Sequence, residues 1–199
     1  MSTPFVSNSL VQPPNCPAFR MFPRLPSVSK AWNPVRVPPR ARHTPEALAD
    51  DARVAATPVE ADMAIVRLDA PYEPRNELFL EAMFHAGSLE FDAVTVARIE
   101  ELAAQVPVVL VVNLDRPAIL TPLEPHCSAI LATFGVSDEA LVRVLTGAVN
   151  PEGRLPFDLP RSIEAVLESQ SDVPGGTLDP LYAYGDGLRR LDAPLTDSC

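Results

Sequence analysis

The apolar run at residues 106–112 constrains the fold more than any other feature of this sequence. β-Branched residues dominate the run, and only Pro107 and Leu110 interrupt them. A continuous apolar run without an alternating polar face is typical of a strand that is covered on both sides. Such strands occur in parallel sheets with helices packed on both faces, so the run predicts an α/β domain.

The segments around this run alternate between strand and helix patterns. Residues 64–68 and 129–133 are short apolar runs of strand length. Residues 92–105 carry apolar side chains at helical spacing, and residues 138–146 form a further predicted helix. An N-cap residue, a proline and an acidic first turn predict another helix at residues 44–56. This order predicts a three-layer α/β/α sandwich with a mostly parallel sheet.

The first 45 residues differ sharply in composition from the rest of the chain. Ten of the 23 prolines and six Lys or Arg fall there, and no acidic residue does. Neither helical nor alternating periodicity survives this proline density, so we predict a disordered Pro/Arg-rich arm over residues 1–45. Such an arm could be a free tail or could bind an anionic partner. Its composition faintly resembles a transit peptide, and it could also be an upstream extension from a truncated or mis-assigned gene start.

Residues 46–199 are strongly acidic, with a formal charge of −16 because ten Lys and Arg face 26 Asp and Glu. This charge repels phosphate backbones and argues against a nucleic-acid partner. No stretch approaches the roughly 20 apolar residues that a membrane span requires, and no secretory apolar segment is recognisable. We therefore expect a soluble protein without a membrane partner, cytoplasmic by default.

The cysteines and histidines predict neither a disulfide framework nor a metal site. Cys16, Cys127 and Cys199 are an odd set without close pairing. His126 is next to Cys127, but no further ligand lies at a suitable spacing. The sequence also lacks a Walker loop and a Gly-x-Gly-x-x-Gly turn after a strand, so we predict no cofactor.

Three polar, turn-rich segments follow the predicted strands and begin at Asp69, Asn113 and Phe134. In a parallel sheet, ligands bind beyond the carboxyl ends of the strands. Asp69, Asp115 and Arg116 are therefore candidate substrate-binding residues. The alternative is that these three side chains cap helix ends or pair with one another.

Residues 144–160 (VLTGAVNPEGRLPFDLP) combine a helix end, a turn and an extended segment with prolines at both ends. This run resembles the signature near the end of the C-terminal domain of family 3 glycoside hydrolases, the β-glucosidase and β-xylosidase group. Four further blocks resemble that domain in the same order: residues 61–66, 108–117, 129–145 and 181–188. The resemblance implies a domain over residues 46–190 and leaves residues 191–199 as a flexible tail.

Members of this family are retaining enzymes with an Asp nucleophile and a Glu general acid/base. The resemblance implies that the acid/base lies in the loop after the strand at residues 61–66. Glu73 is in that loop and is the candidate, while Glu77, Glu81 and Glu90 are its rivals. The alternative is that Glu73 is an ordinary solvated carboxylate.

The family's nucleophile lies on an N-terminal barrel, and this sequence has no pattern for one. We therefore expect a β-glucosidase-like C-terminal domain that is inactive alone, acting on a β-linked glucoside or related sugar with a family 3 barrel in cis or trans. The alternatives are a non-catalytic sugar-binding or scaffolding domain and a truncated gene product. Because the proline-rich arm replaces the domain's first strands, we also expect an incomplete sheet with exposed apolar edges.

Overall fold

The computed structural model of the chain describes residues 8–11, 30–32, 53–74, 84–170, 173 and 175–188. In chain order the strands are β1 (Asn8–Val11), β2 (Lys30–Trp32), β3 (Arg53–Val54), β4 (Met63–Asp69), β5 (Val108–Asn113), β6 (Ala129–Thr133), β7 (Leu159–Pro160) and β8 (Pro180–Tyr182). The α-helices are α1 (Ala93–Ala103), α2 (Asp138–Leu145) and α3 (Ile163–Glu168). Short 3-10 helices occupy Pro58–Glu60 and Glu124–His126.

The main sheet has six strands in the order β1-β6-β5-β4-β2-β3. The central strands β4, β5 and β6 are parallel and in register, with Ala64 opposite Val108 and Val109 opposite Ala129. β2 and β3 continue the parallel arrangement on one side, and β1 adds an antiparallel strand on the other. The predicted mostly parallel sheet is confirmed.

Both faces of the sheet are buried, and successive side chains of β5 alternate between two hydrophobic clusters. On one face Leu110 and Val112 belong to a cluster with Leu102 of α1. On the other face Val111 belongs to a cluster with Leu141 of α2. Because a strand points successive side chains to opposite faces, this division confirms the three-layer α/β/α sandwich.

The two longer helices begin where the sequence predicts, because each has a side-chain cap. Asp92 precedes α1 and accepts a hydrogen bond from the Thr95 backbone N–H at 2.8 Å, which lowers the pKa of the Asp92 carboxyl. Ser137 precedes α2 and accepts from the Ala140 N–H at 3.3 Å. Among the described residues, no helix has the length and apolar character needed to cross a membrane.

The N-terminal part of the chain differs from the sequence-based expectation. β1 and β2 lie within the predicted arm and pair at opposite sides of the central strands, so this arm contributes to the sheet. The segments are short enough to fit between prolines, which is why neither showed a periodic pattern. Their pairing covers both edges of the parallel core, contrary to the expected loss of the first strands.

The helix predicted at residues 44–56 is wrong at its C-terminal end. Residues 53–54 are β3, which pairs in parallel with β2, and residues 55–56 are not helical. Residues 44–52 lie outside the described residues. A local capping signal is worth about 1 kcal/mol, and long-range pairing of the chain readily outweighs it.

The proline-bounded segment after α2 pairs with the end of the described chain. β7 and β8 form a separate antiparallel pair. Asp158, which is 6% exposed, accepts hydrogen bonds from the backbone N–H groups of Thr177 at 2.9 Å and Tyr184 at 2.6 Å. We call residues 153–161 together with 177–188 the seam. Because the seam joins two of the sequence blocks, it explains why they occur together in one domain.

Hydrogen bonds and close backbone packing also hold the two halves of the seam together. Arg154 Nη1 donates to the Gly187 carbonyl oxygen at 2.7 Å and to that of Gly185 at 3.4 Å. A Cβ on residue 187 would overlap the Gly153 carbonyl oxygen, so only glycine fits there. The apolar side chains Leu155, Leu159, Leu181 and Tyr182 anchor this unit in the same cluster as α1.

Candidate functional site

The carboxyl ends of the central strands form one edge, where Asp69, Asn113 and Thr133 lie side by side. Asn113 connects its neighbours, since its Nδ2 donates to Asp69 Oδ1 at 3.2 Å and its Oδ1 accepts from the Gly135 N–H at 3.0 Å. Gly135 has φ +76°, a left-handed conformation that favours glycine. The three polar segments therefore meet at this edge, as the parallel topology predicts.

Glu73 lies in the β4–α1 connection, residues 70–92, which leaves this edge of the sheet. Its backbone N–H donates to the Ala86 carbonyl oxygen at 2.8 Å, in an isolated antiparallel bridge. Its side-chain Oε1 accepts from the Ser88 N–H at 3.1 Å. The exposed carboxyl group is thus held at one oxygen by the returning end of the same connection.

Gly87 provides the space for the Glu73 side chain. A Cβ on residue 87 would overlap the Glu73 side chain, and Gly87 has φ +86°. Both observations favour glycine here, one for space and one for backbone conformation. The position of the Glu73 carboxyl therefore depends on a residue fourteen positions further along the chain.

An aromatic and ionic cluster lies on the same connection. The rings of Tyr72 and His85 stack in parallel, with centroids 3.9 Å apart and planes 7° apart. His85 Nδ1 contacts Asp115 Oδ2, and the contact is an ion pair when the imidazole is protonated. This cluster joins the two described ends of the connection to the turn that follows β5.

Arg116 is on that same turn and hydrogen-bonds to the backbone of the connection. Its Nη2 donates to the Gly87 carbonyl oxygen at 2.9 Å, and its Nη1 donates to that of Pro71 at 3.4 Å. These two carbonyls flank Glu73 in the chain. Arg116 was predicted to bind substrate. In the structure two nitrogens of its guanidinium donate to the protein's own backbone.

The model of the glycosyl hydrolase family 3 C-terminal domain matches residues 21–189. The chain belongs to this family. The resemblance inferred from five sequence blocks is confirmed. The match begins upstream of residue 46, where composition predicts the start of the domain, and it includes β2 and β3.

Curated relatives of this family 3 domain carry the names of β-glucosidases and β-xylosidases. The chain is 45% identical to Beta-glucosidase C of Emericella nidulans over 139 residues. The aligned part is 70% of this chain and 22% of that protein. The chain is also 39% identical over 138 residues to the periplasmic beta-glucosidase/beta-xylosidase of Dickeya chrysanthemi, covering 68% and 21% respectively. The chain thus spans about a fifth of the length of these relatives.

Solved β-glucosidase structures share the fold. The glucose complex of the Listeria innocua β-glucosidase gives a TM-score of 0.66 at 15% identity, covering 92% of this chain and 32% of that one. The β-D-glucoside glucohydrolase of Trichoderma reesei gives 0.63 at 16% identity, covering 92% and 35%. At these identities the likeness concerns the fold, and it agrees with the α/β architecture predicted from the sequence.

The four candidate residues of this family 3 domain lie together at one edge of the sheet. Asp69, Glu73, Asp115 and Arg116 all lie on the β4–α1 connection, the β5 turn or the strand edge between them. Of the rival carboxylates, Glu90 is exposed, and Glu77 and Glu81 lie outside the described residues.

Sequence reasoning did not place His85 at this site, and it included Tyr72 and Asn113 only as parts of the polar segments after the strands. His85 and Asp115 are 30 residues apart, a separation at which neither helical nor strand periodicity carries information. The one available signal was Asn113, which directly follows a buried strand at the edge where ligands bind. Groups of three or more potential metal ligands are absent from the part of the chain that the structure describes.

A second group of ionisable side chains lies in the hydrophobic cluster beneath the seam. Burial raises the pKa of the Glu124 carboxyl, and the positive charge of Arg161 partly opposes this effect. Burial and the nearby Glu124 charge raise the pKa of the Cys127 thiol to about 12, and the same two causes raise the pKa of the Tyr182 hydroxyl. Because the thiolate is the reactive form, this shift and the burial of Cys127 both argue against a role as a nucleophile.

Proposed function

We propose that this domain supplies the general acid/base, Glu73, to a β-glucosidase-like retaining hydrolase. In this proposal the nucleophile comes from a family 3 barrel domain, in cis or in trans, and residues 1–199 alone are inactive. The substrate is a β-linked glucoside or a related sugar. The observation that carries the proposal is the arrangement of Glu73 on the β4–α1 connection, beside the carboxyl ends of the central strands.

The contacts of Glu73 suit a group that exchanges a proton with a substrate. Its carboxyl is exposed, so it can reach a sugar, and one of its oxygens is oriented by the Ser88 N–H. In a retaining mechanism the acid first protonates the leaving-group oxygen and then, as a base, takes a proton from the attacking water. A carboxyl group fixed at one oxygen keeps the other oxygen in a defined direction for both steps.

Two other carboxylates at this edge are candidates for binding sugar hydroxyls. Asp69 and Asp115 are exposed, and carboxylates are good acceptors for hydroxyl donors. Asp69 is oriented by Asn113, and Asp115 is in contact with His85. Arg116 fits a supporting task better, since its guanidinium donates to the backbone of the connection.

Hydrolysis of an aryl β-glucoside tests the proposal. The chain is assayed alone, mixed with a separately expressed family 3 barrel, and fused to that barrel. We expect no turnover by the chain alone and turnover when the barrel is present. Replacing Glu73 by Gln in the active combination is expected to lower kcat/KM by about 10²- to 10³-fold for a substrate with a poor leaving group, because general acid catalysis is lost.

The rival glutamates provide matched controls within the same connection. Glu77→Gln, Glu81→Gln and Glu90→Gln are expected to retain activity within about threefold, since none of them is assigned to proton transfer in this scheme. A large loss in one of these variants and none in Glu73→Gln would reassign the acid/base. Turnover by residues 1–199 alone would contradict the location of the nucleophile. Glucose binding without any rescue by a barrel would favour a sugar-binding domain.

A further inference from the structure

We propose that Arg116 and the His85–Asp115 pair are positioning residues for Glu73. They hold the two described ends of the β4–α1 connection on the turn after β5. This inference rests on the proposed function, because the task exists only if Glu73 is the acid/base. None of these side chains contacts the reacting atoms in this scheme. They act indirectly, by fixing the position of the Glu73 carboxyl.

Arg116 bridges the two ends of the connection. Its two terminal nitrogens donate to Gly87 at 2.9 Å and to Pro71 at 3.4 Å, one carbonyl on each side of Glu73. A guanidinium is a rigid planar fork, so two acceptors bound to it have a fixed separation. The half-buried Arg116 therefore sets the distance between the outgoing and the returning ends.

The neighbouring residue, Asp115, makes an independent set of contacts. Asp115 contacts His85 on the returning end, and the His85 ring stacks on Tyr72 of the outgoing end. Arg116 therefore contacts both ends directly, while Asp115 contacts the returning end and reaches the outgoing end through the ring stack.

The two ends, once together, fix the Glu73 carboxyl through their own hydrogen bonds. The Glu73 N–H bonds to Ala86 at 2.8 Å, and the Glu73 Oε1 accepts from Ser88 at 3.1 Å. Both contacts cross from one end of the connection to the other. If the ends separate, the Glu73 carboxyl loses its orienting donor while the two hydrophobic clusters of the sheet stay intact.

Hydrogen exchange of the full chain, followed by NMR, tests the positioning directly. Arg116→Ala is expected to raise the exchange rates of the Glu73 and Ser88 amides at least ~10-fold, since local opening no longer breaks contacts to a charged donor. Arg116→Lys is expected to give an intermediate rate, because an ammonium is not a two-pronged fork. Arg154→Ala is the matched control, since Arg154 also donates to two carbonyls but at the seam.

Leaving-group dependence separates positioning from general damage in the barrel-complemented enzyme. A 2,4-dinitrophenyl glucoside needs little protonation of its leaving group, whereas a phenyl glucoside needs much more. We expect Arg116→Ala and His85→Asn to lower kcat/KM at least ~10-fold for the phenyl substrate and less than ~3-fold for the dinitrophenyl substrate. Arg154→Ala is expected to affect both substrates alike.

The outcomes distinguish this inference from the proposed function. If Glu73→Gln is silent on both substrates, the assignment of the acid/base has failed. If Glu73→Gln shows the leaving-group pattern while Arg116→Ala keeps the wild-type pattern and the wild-type exchange rates, the positioning role is overturned and Glu73 stands. A uniform loss with both substrates in Arg116→Ala would also overturn it. Support requires the selective loss together with faster exchange of the Glu73 and Ser88 amides.

Discussion

The seam and the β4–α1 connection are held by the same kinds of group in very different surroundings. In each an arginine donates to two backbone carbonyls, Arg154 at the seam and Arg116 at the connection. The seam carboxylate Asp158 is 6% exposed, whereas the side chain of Asp115 beside the connection is 41% exposed. Water can replace the partners of an exposed group but not those of a buried one. The Asp158 contacts therefore contribute more to stability than the Asp115 contact does, although the two arginines differ in the opposite sense, since Arg154 is exposed and Arg116 is half-buried.

The largest loss of stability is expected for Asp158→Ala. The change removes the buried carboxylate that accepts from the Thr177 and Tyr184 N–H groups, and a hydrogen bond to a charged group contributes about 1.5–3 kcal/mol. We expect the free energy of unfolding, measured in urea, to fall by about 3 kcal/mol. Asp179→Ala is the control, because Asp179 forms an exposed ion pair with Arg161 and its loss costs below about 1 kcal/mol. Equal losses in the two variants would contradict the comparison.

Gly187→Ala is expected to destabilise the seam next most strongly. The new Cβ would overlap the Gly153 carbonyl oxygen, a backbone atom that cannot rotate away, and overpacking of this kind costs about 2 kcal/mol. Gly175→Ala serves as the control, since its Cβ would meet Tyr184 at an ordinary distance of 3.5 Å. Thermal unfolding of both variants checks the difference. If Gly175→Ala loses as much stability, the close packing is not the cause.

Gly87→Ala is expected to have a moderate effect on stability and a selective effect on the connection. A non-glycine residue in the left-handed conformation costs about 1 kcal/mol. Gly185→Ala is matched in conformation, with φ +85° against +86°, but has open space around its Cβ. Both variants should lose similar stability in urea. Only Gly87→Ala should accelerate amide exchange at Ser88, because only there does the Cβ displace Glu73. Unchanged Ser88 exchange in Gly87→Ala would show that Gly87 does not determine the position of the Glu73 side chain.

Two buried carboxyl groups differ in their hydrogen bonding. Asp158 accepts from backbone N–H groups, whereas Glu124 Oε1 is buried without a hydrogen-bond partner. Glu124→Gln tests what this difference means for stability. Burial raises the folded-state pKa of Glu124, so its stabilising contribution is complete below the unfolded pKa and is lost as pH rises through the folded value. The variant should therefore gain stability relative to wild type as the pH rises from the ordinary pKa of a glutamate carboxyl through the raised pKa of Glu124. Urea unfolding across this range measures the difference, and a difference that is independent of pH would refute the assignment.

The smallest effect on stability is expected for the exposed pair. His85→Asn and Asp115→Asn should each change the free energy of unfolding by ~0.5 kcal/mol or less, since exposed ion pairs are solvated in the unfolded chain as well. The double variant should equal the larger single change. A loss above about 2 kcal/mol in urea would show that the connection contributes to stability in the way the seam does.

Sequence reasoning predicted the parts of the fold in which local patterns and burial agree. The run at residues 106–112 and the capped helices after Asp92 and Ser137 show a period or a cap in the chain itself. β1, β2 and β3 escaped prediction because their pairing is non-local and their length is two to four residues. Edge pairing of so short a segment depends on the neighbouring strand rather than on its own sequence.

The candidate site was predicted in part for the same physical reason. The parallel topology brings the ends of β4, β5 and β6 together, so Asp69 and Asp115 were found from their chain positions. Glu73 came from the family resemblance. The stacking of Tyr72 on His85 and the bridge made by Arg116 depend on how the connection folds back. No local pattern encodes that return.

The seam also has a consequence for the order in which the chain is synthesised. Its two halves are separated by α3, so β7 leaves the ribosome before its partner β8 is available. Until residue 182 emerges, Leu155 and Leu159, both almost fully buried in the folded domain, have no cover from Leu181 and Tyr182. A nascent or prematurely stopped chain thus exposes an apolar strip of the kind that chaperones and proteases bind. Pairing of β8 with β7 is what ends that exposure, so the strip is available to such factors only before β8 has emerged.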